Sequence, residues 1–147
     1  MQLTSNDFRG VINRRFFQHF LPIPARCKFQ LGEVLPNFTL TDAAGQSQEL
    51  SSYRGKPIVL AFTRIFTEKQ YCPFCYPHIL GMAQAYPQFV GLGATVLMIT
   101  STDLGQSKQV QRDLDLKMPL LANPSGTLFK QYGTGQALGA PLPAQFV

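Results

Sequence analysis

The segment Cys72-Pro73-Phe74-Cys75 does most to limit what this chain can become, because of what lies on either side of it. Upstream, Ile58-Val59-Leu60-Ala61-Phe62 is an unbroken apolar run of strand length, which predicts a strand buried on both faces. Downstream, the chain from the cysteines towards Tyr86 predicts a helix, with Pro77 placed to kink it after the first turn. A thiol pair at a strand-to-helix junction is chemically coherent. The helix start presents unpaired backbone N–H groups and about half a positive charge, which favours thiolate over thiol. Pro73 costs little there, since the N–H it lacks has no partner in a first turn. Cys72 is placed to attack a disulfide, and Cys75, one turn on, to release the resulting mixed disulfide. Arg64 and Lys69 upstream favour the anion, Glu68 opposes it, and Tyr71 and Phe74 are expected to cover the site with apolar surface.

A short cysteine pair is also half of a zinc site. His78 three residues on and Cys27 from elsewhere complete a four-ligand set with Cys72 and Cys75 on paper. The absence of a second closely spaced pair, together with the strand-to-helix context, favours redox use, with neither metal nor cofactor required. Three cysteines are too few, and odd in number, for a secreted disulfide framework, so a reducing, cytoplasmic setting is expected.

Charge is distributed unevenly along the chain. Residues 1–30 carry five basic groups against one acid, while the remaining residues carry eight against seven. The body is thus near neutral and gives no basic face for nucleic acid. No stretch reaches the roughly 20 apolar residues of a membrane span, and no apolar signal core follows the first charges. Residues 1–30 therefore predict a basic amphipathic extension. Within it, Ser5 to Leu21 predicts a helix capped by Ser5, Asn6 or Asp7. Phe8, Val11, Ile12, Phe16 and Phe20 form its apolar stripe, and Pro22 and Pro24 stop it. The stripe is expected to dock on the protein's own core or on a second copy.

Further along, Leu31 to Gly55 has the grammar of a hairpin: Phe38 and Leu40 alternate with polar Asn37, Thr39 and Thr41, Asp42-Ala43-Ala44-Gly45 supplies the turn, and Gln46 to Leu50 the return strand. Residues 63–71 predict a loop. Thr95 to Ile99 predicts a second buried strand, Thr102 or Asp103 a cap for a helix to about Leu116, and Pro119 to Ala122 a short strand. A helical turn through Tyr132 follows, then a loop over Gly133 to Pro141 and a last strand over Ala144 to Val147. Strands and helices in this alternation imply a mainly parallel sheet with helices on its faces.

Several segments, in order, resemble the peroxiredoxin-like (AhpC/TSA, redoxin) branch of the thioredoxin superfamily. They are Leu31 to Leu40, Leu50 to Leu60 with Tyr53-Arg54-Gly55-Lys56-Pro57, the strand leading to Cys72, Ile99 to Asp103, and Met118 to Gly126. The resemblance covers most of residues 31–147. It implies an α/β thioredoxin fold: a mixed, mainly parallel central sheet with helices on both faces, here preceded by an N-terminal helix. The family fold would continue with a closing strand and helix, so the expectation is either a truncated product or an exposed edge covered by residues 1–30 or by another copy, as in a homodimer through residues 1–30 or the C-terminal edge. The implied activity is a thiol-dependent, antioxidant-type oxidoreductase that exchanges disulfides or reduces peroxides through Cys72 and Cys75. The implied partners are a thioredoxin- or glutathione-type reductant and a disulfide or peroxide substrate. A non-catalytic redox sensor of the same fold is the alternative. Ile65 and Lys69 stand where peroxiredoxins carry Pro and Thr or Ser, with Thr67 and Arg64 as substitute donors for a peroxide. Pro143 stands where thioredoxins carry a cis proline and peroxiredoxins tend to carry Arg. These replacements imply disulfide exchange faster than peroxide reduction.

Overall fold

The computed structural model describes residues 10–147. Ten strands and four helices follow one another along it. They are α1 (Arg14–Gln18), β1 (Thr39–Asp42), β2 (Ser47–Glu49), β3 (Ile58–Thr63), β4 (Ile65–Thr67), β5 (Gln70–Tyr71), α2 (Cys75–Gly91), β6 (Thr95–Thr100), α3 (Leu104–Asp113), β7 (Leu120–Ala122), α4 (Thr127–Tyr132), β8 (Gln136–Ala137), β9 (Ala140–Pro141) and β10 (Ala144–Phe146).

Six strands make one sheet in the order β10-β3-β6-β7-β1-β2. Its centre is parallel: β3 runs beside β6 from Ile58↔Thr95 to Thr63↔Thr100, and β6 beside β7. The outer strands β10, β1 and β2 are antiparallel to their neighbours, so the sheet is mixed, as expected. Residues 58–63 and 95–100 form this centre because alternate side chains serve two cores. Val59, Ala61, Val96 and Met98 pack on one face with Ile79 and Met82 of α2 and Val110 of α3. Leu60, Phe62, Leu97 and Ile99 pack on the other with Leu128, Phe129 and Tyr132 of α4. Helices therefore cover both faces. The predicted hairpin forms over β1 and β2, with the Asp42 carboxylate accepting from the Gln46 N–H at 2.9 Å and Gly45 at φ 87°.

Several expectations need correction. Among the described residues, the helix placed over Ser5 to Leu21 spans Arg14–Gln18, capped by the Asn13 side chain, which accepts from the Phe16 N–H at 3.0 Å. Ser5, Asn6, Asp7 and Phe8 lie outside the described residues. Gly10 at φ 87° turns the chain just before the helix, which glycine permits and a continuing helix does not. Residues 63–71 are not a plain loop but hold the β4–β5 hairpin, and Gly133 to Pro141 holds a second one, β8–β9. α2 runs past Tyr86 to Gly91, with Pro87 inside it; Pro77 lies in its first turn, where no N–H is needed. Of the two caps expected for α3, Asp103 is the one used, and the helix ends at Asp113, short of Leu116.

The extension lies across the body. Ile23 and Gln136 form a β-bridge, with N–H···O distances of 2.8 and 2.9 Å. The Gln136 side chain donates to the carbonyls of Gln18 and Leu21, and His19 is buried. Among the described residues, no helix is long and apolar enough to cross a membrane.

Candidate active site

Three local structures place the two cysteines. β3 ends at Thr63, the β4–β5 hairpin follows, and Cys72 leaves it two residues before the N-cap of α2. The Cys72 N–H donates to the Arg64 carbonyl at 3.3 Å and closes the neck of the hairpin. The Cys72 carbonyl accepts from the N–H groups of Cys75 at 3.0 Å and Tyr76 at 2.9 Å, tying it to the first helical turn. Cys72 thus precedes the helix, and Cys75, not Cys72, opens it. Both side chains are buried unlinked thiols, with 6% and 4% of their surface exposed.

The two sulfurs differ electrostatically. Burial acts to raise the Cys72 thiol. Donation from the N–H groups of Cys75 and Phe74, from the Cys75 thiol, and the positive charge of Arg64 together outweigh it. The Cys72 thiol therefore lies below the ordinary cysteine value. Burial pushes the Cys75 thiol up to about 11; the Arg64 backbone and charge oppose the rise, while its bond to Cys72 and the charge there add to it. The first proton to leave is that of Cys72, and Cys75 keeps its own as a donor to the thiolate.

Arg64 is half-buried. Its Nη2 donates to the Ala137 carbonyl in the β8–β9 hairpin, and its guanidinium carbon lies 4.9 Å from the centroid of the Phe66 ring. Its Nε and the Thr63 hydroxyl are buried with no hydrogen-bond partner, leaving two spare donors in the segment that leads to Cys72.

The other expected site residues fall on both sides. Thr67 is buried, but its hydroxyl accepts from the Lys69 N–H at 3.2 Å. Lys69 is not among the groups that act on Cys72; it lines an outer depression with Glu68, Gln106 and Asp113. The two-residue turn of the hairpin carries it outward, which nothing in its spacing from Cys72 reveals. Ile65 is a core residue. Phe74 does not cover the site: it is 90% exposed. Tyr71 packs its ring 5.2 Å from that of Tyr76. Pro73 is exposed, and so is Pro143, whose preceding peptide is trans, since the described residues contain no cis bond. The strand after Pro143 does reach the dithiol helix, where Gln145 hydrogen-bonds His78. Cys27 is exposed, with its thiol directed at the Phe29 carbonyl at 3.3 Å. No three His, Cys, Asp or Glu side chains among the described residues gather as a metal site. Phe66 and Ala137, which hold Arg64, carry no sequence signal, since one acts through a ring face and the other through a backbone carbonyl.

A dithiol at the start of a helix that follows a parallel strand, with β10 closing the sheet antiparallel to that strand, defines a thioredoxin-fold protein. The chain belongs to the AhpC/TSA family, whose model matches residues 31–147. It is similar to the thiol-disulfide oxidoreductase ResA of Bacillus thuringiensis, at 29% identity over 82% of this chain and 64% of ResA. It is also similar to the chloroplastic peroxiredoxin Q of Triticum aestivum, at 30% identity over 80% of this chain and 52% of that protein. The chain thus spans about half to two thirds of the length of these relatives. In fold it is similar to the peroxidoxin BcpB of Mycobacterium tuberculosis, with a TM-score of 0.62 at 23% identity over 76% of this chain and 71% of that one.

Proposed function

We propose that this protein is a thiol-dependent oxidoreductase that works through Cys72 and Cys75 and prefers disulfides to peroxides. The observation that carries the reading is the inequality of the two thiols, with Cys72 lowered by helix-start N–H groups and Arg64 and Cys75 raised to about 11. The Cys72 thiolate attacks a sulfur of the substrate disulfide, forming a mixed disulfide and expelling one substrate thiolate. Cys75 then loses its proton and attacks Cys72, forming the Cys72–Cys75 disulfide and releasing the second substrate thiol. The substrate gains two electrons, and a thioredoxin- or glutathione-type reductant returns the pair to the dithiol. The names of the relatives support both arms of the reading, disulfide exchange in ResA and peroxide reduction in peroxiredoxin Q.

The preference for disulfides rests on the donors. Ile65 is core and Lys69 is turned away, so neither family position offers a hydroxyl; the hydroxyls nearby are those of Thr67, which accepts from the Lys69 N–H, and Thr63, which is buried. Positioned donors of this kind are worth several kcal/mol of barrier. The test compares second-order rates of the reduced protein with hydrogen peroxide and with a small disulfide. Cys72→Ser should abolish both reactions, and Cys75→Ser should accumulate mixed disulfides. Peroxide reacting orders of magnitude faster would reverse the preference. Full disulfide reduction by Cys72→Ser would overturn the assignment of the attacking thiol.

A further inference from the structure

Arg15 lies in the extension, outside residues 31–147 that match the family model. Its Nη1 donates to the Ser101 carbonyl at 2.5 Å and to Gln106 Oε1 at 3.2 Å, and its Nη2 donates to the Phe66 carbonyl. One guanidinium thus joins the end of β6, the first turn of α3 and the hairpin that leads to Cys72. Phe66 sits at the point where the β4–β5 register shifts between Ile65 and Thr67. The ring of the same residue carries the Arg64 guanidinium. Only a planar, multi-donor group spans acceptors spread this way; an ammonium cannot.

We propose that Arg15 is a positioning residue for the dithiol: by holding the Phe66 carbonyl it fixes the ring on which Arg64 rests, and so keeps the Arg64 charge beside Cys72. This inference rests on the dithiol reading above. The charged and titratable groups around Cys72 are Cys75 on α2 and Arg64 at the hairpin neck, while Glu68 faces Arg15 and Tyr71, and Asp103 faces Arg15. Arg64 therefore supplies the positive charge at the sulfur, and its placement is held by contacts on two sides, Phe66 and Ala137. Loosening the Phe66 side lets the guanidinium turn towards water, where its field is screened.

The experiment is the pH profile of Cys72 alkylation by iodoacetamide in the full chain, with each cysteine followed separately by mass spectrometry. Arg15→Ala should move the Cys72 midpoint upward by on the order of half a unit, and slow labelling at neutral pH by about threefold. Arg64→Ala should shift it further in the same direction, and the double variant should match Arg64→Ala alone. Arg14→Ala, which removes an exposed charge from the same helix, should leave the profile in place. Arg15→Lys should restore only part of the shift. If Arg15→Ala loses its near-UV circular dichroism, Phe66→Ala cuts the same link with the extension still docked and should give the same upward shift. An Arg15→Ala profile coincident with the parent, or a shift that adds to that of Arg64→Ala, overturns the positioning role. A parent Cys72 that titrates like an ordinary cysteine and exchanges no disulfide overturns the dithiol reading itself, whatever Arg15 does.

Discussion

Gly133 ends α4 in the left-handed region at φ 71°, and a Cβ added there would stand 2.0 Å from the Arg26 carbonyl oxygen. The Arg26 N–H donates to the Gly133 carbonyl at 2.8 Å, so extension and body touch through bare backbone at this point. Gly133→Ala meets both obstacles, positive φ and a backbone atom that cannot rotate away. Urea unfolding should show a loss of about 2 kcal/mol or more, with an unchanged slope. At the thiols, the lowered Cys72 makes a second single-residue prediction. Alkylation of Cys72 should rise with pH around a midpoint below that of a free thiol, because its thiolate forms where a free thiol is still protonated. A profile centred on the free-thiol value would remove the basis for unequal cysteines.

Among the elements, α3 depends most on one local device. The Asp103 carboxylate accepts from the Gln106 N–H at 2.8 Å while the Gln106 side chain accepts from the Asp103 N–H at 3.3 Å, a reciprocal capping box. Gln106 Oε1 also receives Arg15, so the cap and the extension share one amide. Asp103→Ala should cost about 1 kcal/mol by thermal or urea unfolding, the usual loss for an N-cap. In the central strands, Leu97 is fully buried between sheet and α4, and Leu97→Ala should cost about 2–5 kcal/mol. If Leu97→Ala cost under 1 kcal/mol, the sheet face covered by α4 would not be the packed core described above.

For the molecule as a whole, His19 makes the docking of the extension depend on pH. Its ring is 1% exposed, Nδ1 donates to the Arg15 carbonyl at 2.9 Å, and Nε2 is buried without a partner close to Gly126. Burial lowers its pKa, the bond to Arg15 opposes this, and the charges of Lys130 and Arg15 lower it further. The unfolded chain, whose histidine titrates near 6.5, then takes up the proton before the folded one does. Stability from His19 is complete above that value and falls as the pH drops below it, towards the lower folded value. The melting temperature should decline between about pH 7 and 5, and His19→Gln should flatten that decline. A slope unaltered by His19→Gln would place the acid sensitivity elsewhere.

What the sequence determined by itself was whatever depends on neighbours along the chain. The apolar runs at 58–62 and 95–99 became the parallel centre of the sheet, because a strand buried on both faces needs apolar residues at successive positions. The hairpin at 39–49 and the dithiol ahead of α2 were likewise legible, the latter because helix-start N–H groups act over one turn. Of the helix expected over Ser5 to Leu21, the described residues form Arg14–Gln18, and the rest of them run as irregular backbone laid across the body, on which an apolar stripe can be spent as well as on a helix. The hairpins within 63–71 and 133–141 were missed because two-residue strands carry too little alternation to register. Tertiary structure alone decided that Arg64 rather than Lys69 acts on Cys72, and that Arg15 reaches Phe66 and Ser101 across 51 and 86 residues of chain. Those contacts end on backbone carbonyls and a ring face. Every residue has a carbonyl, so no residue type marks the one that a distant guanidinium will find.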